Sequence, residues 1–91
     1  KAADAGNAAA QNEVAYHQAV DGGDLDRALV LVDQALASQP ANPHYLDTKA
    51  TILERKRRWR EAEALLRQAH AASPQDKELA QHLARVERKR K

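Results

Sequence analysis

The 91-residue chain has no cysteine, methionine or phenylalanine, three glycines, three prolines, one tryptophan and two tyrosines. Without cysteine there is neither a disulfide framework nor a thiolate metal site, which excludes secreted mini-protein scaffolds and zinc fingers. No apolar run approaches the roughly 18 residues that cross a bilayer, and no charged start followed by an apolar stretch marks a signal peptide. The length excludes a TIM barrel or a two-domain dinucleotide-binding enzyme and leaves one small domain. With one Ile and five Val, sheet formers are scarce.

What is present favours helix. Twenty alanines, ten leucines and many Glu, Gln, Arg and Lys residues are the best helix formers. The expectation is a soluble all-α chain whose alanines let thin helices approach closely. Its abundance of Ala and Arg also points, on composition alone, to a GC-rich bacterial source, cytoplasmic or periplasmic.

An offset of 34 residues superposes Ala28 on Ala62, Leu31 on Leu65, Gln34 on Gln68, Ala35 on Ala69, Ala37 on Ala71 and Pro40 on Pro74. It also places Val32 opposite Leu66 and Leu25 opposite Trp59. Within one period, punctuation separates two helices. Asn12 to Val20 is periodic, Asp21-Gly22-Gly23-Asp24 interrupts it, and the next segment carries apolar residues at 25, 28, 29, 32, 35 and 36, one helix face. Gly23 suits the left-handed position after a helix and Asp24 the following cap. Pro40 stops the second helix and Pro43 suits the first turn of the third. Further helices are expected over 44–56, 59–72 and 76–88, the last with Leu79, Leu83, Ala84 and Val86 as its apolar set, making about five antiparallel helices.

This small-large-small-proline pattern resembles the tetratricopeptide repeat (TPR). The residues that carry it are Gly23-Asp24-Leu25, Ala28, Val32, Ala35 and Pro40, then Ala50, Trp59, Ala62, Leu66, Ala69 and Pro74. The resemblance implies a frayed lead-in over 1–8, repeats over 9–42 and 43–76, and a capping helix with a basic tail over 77–91. The first residue, Lys1, and the small number of repeats suggest a piece of a longer protein. Four positions depart from the family pattern. Arg57 stands where the family has a glycine between paired helices, Lys49 and, in the first repeat, Ala15 where it has a larger apolar residue, and Tyr16 where it has a small one.

No catalytic constellation emerges. Ser38 and Ser73 sit beside helix-ending prolines, where a hydroxyl serves the local backbone. His17, His44, His70 and His82 lack the i, i+4 spacing that grips a metal from one helix face, so they read as solvated or packing residues. The Asp21–Asp26 stretch lacks the twelve-residue ligand spacing of a calcium loop. Neither cofactor nor metal is expected, and the chain reads as non-enzymatic.

Trp59, in Arg57-Arg58-Trp59-Arg60, invites a nucleic-acid reading, but its equivalence to Leu25 makes it a plug between helices. The net charge of +2 conceals a division: residues 1–48 hold two basic and seven acidic side chains, a net of −5, and residues 49–91 hold thirteen and six, a net of +7. This polarity suggests head-to-tail self-association. It also defines a basic patch, Arg55, Lys56, Arg57, Arg58, Arg60, Arg88, Lys89, Arg90 and Lys91, as the alternative site, for nucleic acid or an anionic membrane surface.

In the family, the first helices of successive repeats line a concave groove for a peptide or partner helix. Carried onto this chain, the stripe is Glu13, His17 and Asp21, with Ala10; then His44, Asp47, Thr51 and Arg55; then Gln81, Arg85 and Lys89. Glu13 and His17 replace the Lys and Asn that chaperone-tail-binding members use to clamp a terminal carboxylate, so that clamp is not expected. The expectation is therefore a protein-interaction or scaffolding module.

Overall fold

The computed structural model describes residues 2–89, with side chains from Asn7 onward. Five helices follow one another: α1 (Ala2–Val20), α2 (Leu25–Ser38), α3 (Pro43–Arg55), α4 (Trp59–Ala72) and α5 (Lys77–Lys89). No strand occurs among the described residues. Short turns join α1 to α2 and α3 to α4 as antiparallel hairpins, α2 packs on α3, α5 packs on α4, and α1 also touches α3. The result is an all-α slab with extents of 40 × 29 × 17 Å.

Each boundary has a local cause. The Asp24 side chain accepts from the Arg27 N–H and starts α2. Asn42 accepts from His44 and Tyr45, with Pro43 in the first turn of α3. Asp76, expected inside α5, instead caps it by accepting from Glu78 and Leu79. Helix α1 begins ten residues before Asn12 and runs through the expected lead-in of 1–8. Alanine supplies the propensity there, and Ala8 is buried with Ala35 and Tyr45. Lys1 lies outside the described residues.

The expected helix faces are the buried ones. Ala28, Val32 and Ala35 of α2 and Ala62, Leu66 and Ala69 of α4 are all fully buried, with Leu25 and Trp59 partly covered at the hairpin ends. Alanine at these seams removes side-chain bulk, so neighbouring helices approach closely and bury Ile52, Leu66, Val32 and Val86 completely. On α5 the core positions are Leu79, His82 and Val86. Ala84, expected in the core, is exposed, because the buried set follows the 79, 82, 86 spacing instead.

The acidic and basic halves meet inside the molecule. Lys49 Nζ lies 2.7 Å from Asp33, and Lys56 pairs with Asp26 and holds its carboxyl below the usual range. The first pair links α3 to α2, and the second links the α3–α4 turn to α2. Farther along, Arg67 joins Glu63 of its own helix to Glu87 of α5, each at 3.0 Å.

Candidate interaction groove

A groove of about 990 Å³ opens between α1, α3 and α5. Tyr16 and Val20 line it from α1; Asp47, Thr51, Glu54 and Arg55 from α3; Glu78, His82, Arg85 and Lys89 from α5; Arg57 and Trp59 close the end nearest the α3–α4 turn. The expected stripe is thus present on α3 as Asp47, Thr51 and Arg55, and on α5 as Arg85 and Lys89. His44 and Gln81 do not line the groove, and neither do Glu13, His17 or Asp21.

The α1 difference has a simple geometric origin. Turn residues 21–24 number four, whereas 56–58 number three. The offset of 34 that relates α2 to α4 therefore becomes 35 between α1 and α3, pairing Ala15 with Ala50, Tyr16 with Thr51 and Val20 with Arg55. One residue rotates a helix face by about 100°. That rotation exchanges the polar stripe Glu13, His17 and Asp21 for Tyr16 and Val20. The same shift places Ala15, fully buried, at the α1 position that pairs with Ala50, and leaves Tyr16, 45% exposed, facing the groove.

The same shift governs the caps. The Gly23 N–H donates to the Gln18 carbonyl, and the Arg58 N–H to that of Leu53, each closing a Schellman-type end whose left-handed residue immediately precedes the donor. Those residues are Gly22 at φ 77° and Arg57 at φ 63°. Gly23, expected to be left-handed, has another role: a Cβ there would lie 2.1 Å from Gln18 Oε1, the atom that accepts the Asp24 N–H at 2.9 Å.

At the groove centre, His82 is 8% exposed. Its Nδ1 lies 2.6 Å from Asp47 Oδ1 and its Nε2 lies 2.8 Å from Glu54 Oε1. A neutral imidazole has only one N–H; two ionised carboxylate partners are both satisfied only by the doubly protonated ring, so this arrangement favours the imidazolium form. Burial lowers the His82 pKa, but the hydrogen bonds and charges of Asp47 and Glu54 outweigh it and raise the value above the ordinary 6.5. Burial raises that of Glu54, and the bonds and charges of His82 and Arg85 outweigh it, leaving the value below 4.5. Asp47 and Glu54 are seven residues apart, two turns along one face of α3, so a single ring on α5 bridges both. From sequence alone this histidine reads as solvated or packing, because its partners lie on another helix; the signal that marks it is its place in the 79, 82, 86 core spacing.

Of the basic patch, Arg55, Arg57 and Lys89 line the groove, and the Lys89 ammonium lies 5.6 Å from the Trp59 ring centroid. Lys56 is engaged by Asp26. Arg58 precedes α4 without a side-chain cap, and Arg60 and Arg88 are exposed. Arg90 and Lys91 lie outside the described residues. Trp59 packs against the main cluster of Leu46, Leu53, Leu66 and Leu79, as a plug would.

Among the described residues no group of three or more His, Asp or Glu side chains is arranged to hold a metal ion. No helix among them is long and apolar enough to cross a membrane. The groove must be read from its own geometry, because no protein-family model, curated protein or solved structure matches the chain.

Proposed function

We propose that the chain is a non-enzymatic interaction module of the TPR type, which binds a peptide or partner helix in the groove between α1, α3 and α5. The observation that carries this reading is the groove itself: three helices from successive units converge on one concavity lined mainly by charged and polar side chains. Such a lining leaves donors and acceptors for a peptide backbone, and half-covered Val20 and Trp59 supply apolar contact. The equivalence of the Ala28–Val32–Ala35 and Ala62–Leu66–Ala69 seams supports the repeat assignment. A binding role also suits His82, both of whose ring nitrogens are occupied, leaving it neither an open base nor an open ligand.

Head-to-tail association is the weaker form of this proposal. Part of the attraction between the two halves is already used within the molecule, by Lys49 with Asp33 and by Lys56 with Asp26. A direct test selects peptides from a random library and measures their affinity for Thr51→Trp, which fills the groove, and for Gln68→Trp on the exposed face of α4. The proposal expects roughly a tenfold loss for the first and none for the second. Equal affinities would overturn it.

A further inference from the structure

Arg57 combines three properties that folding alone does not require of one residue. It adopts the left-handed backbone at φ 63°, where a Cβ-bearing residue is strained and the equivalent Gly22 is not. It is exposed, and it lines the groove. Strain retained at a binding surface is a mark of function, and here the charge balance indicates which function.

Within the groove, Asp47 and Glu54 are compensated by His82, and Glu54 also by Arg85. Arg55, Arg57 and Lys89 then stand against Glu78 as the remaining charges, three cations to one carboxylate, gathered toward the α3–α4 turn. Resting on the reading of the groove as a peptide site, we propose that this end recognises the carboxylate side chains of an acidic peptide, with Arg57 kept in its strained conformation for that contact. Guanidinium groups suit the task because their planar donors match carboxylates.

A phosphate chain fits less well. Its unbroken line of negative charge would run past Glu78 in the same groove, whereas a peptide can place its carboxylates at the cationic end alone. Trp59 is half-buried in the core with Lys89 over its ring, so it offers no open stacking platform for bases.

The test uses fluorescence anisotropy with a labelled peptide of alternating Glu and Ala, its Gln counterpart, and oligo-dT of equal length. The Glu peptide should bind about tenfold tighter than the Gln peptide. Arg57→Gly should weaken Glu-peptide binding about fivefold while raising Tm by about 4–8 °C. Arg57→Gln, which keeps the Cβ and removes the charge, should weaken binding similarly with Tm unchanged. Unchanged Glu-peptide affinity in both variants overturns the proposal, as does tighter binding of oligo-dT, and an Arg57→Gly Tm that does not rise removes the strain argument. Equal binding of both peptides, lost in Thr51→Trp, would reject the acidic preference while leaving the peptide groove standing; binding of neither would reject the acidic site, and the library selection judges the groove separately.

Discussion

Gly22 and Arg57 occupy the same place in two hairpins: each is the left-handed residue that ends the first helix, and each is followed by an N–H that reaches back five residues. The surroundings differ. The first turn has four residues, two glycines and a side-chain cap from Asp24; the second has three residues, an arginine in the strained position, and an uncapped Arg58. The first turn is built from residues that favour its conformation, and the second places cations at the end of a groove. The extra residue in the first turn also rotates α1 relative to α3, so one insertion decides which side chains of α1 line the groove.

The two hairpins differ in their seams as well, and this gives the largest expected effect. Leu66 and Val32 are equivalent and fully buried. Leu66→Ala should cost about 2–5 kcal/mol. Val32→Ala removes one carbon fewer and should cost less by about 0.8 kcal/mol. Chemical denaturation measures both, and a larger loss at Val32 would show that the first seam, not the second, anchors the stack.

A pH titration of Tm probes the bridge that His82 of α5 makes to Asp47 and Glu54 of α3. His82, raised above 6.5, contributes stability that is full below that pH and lost as pH climbs through its folded value. Glu54, lowered below 4.5, contributes stability that is full above that pH and lost as pH falls through its folded value. Tm should therefore peak between those two values and decline on the alkaline side. His82→Gln should remove the alkaline decline attributable to the bridge; an unaltered profile would break the assignment.

Exchanging the turn residues has a smaller effect and sharpens the comparison most finely. Gly22→Arg should destabilise by about 1–2 kcal/mol and Arg57→Gly should stabilise by a similar amount. Nothing lies within 4 Å of a Cβ at position 22, so the penalty there is conformational and not a clash. Effects of the same sign in the two variants would refute the equivalence of these positions.

Much of the fold was legible in local pattern. The apolar spacing from Leu25 and the stops at Pro40 and Pro74 define α2 and α4 closely, because helix period and backbone punctuation act over a few residues. Asp24 and Pro43 likewise act through their immediate neighbours. The groove was legible on α3 and α5 only in part, and on α1 hardly at all. An offset measured on α2 and α4 does not register an added turn residue before them, and that residue exchanges His17 for Tyr16 and Val20 at the groove. The His82 bridge was hidden for a different reason: Asp47 and Glu54 reach it across the interface between α3 and α5, which no spacing along one helix encodes.

Backbone amide shifts, followed by NMR during titration with the Glu–Ala peptide, test both the acidic-peptide site and the register of the groove. The account predicts the largest changes at Tyr16, Val20, Thr51, Arg55 and Arg57, with Glu13 and His17 little moved. Changes centred on Glu13, His17 and Asp21, or spread evenly over the exposed face of α4, would contradict it.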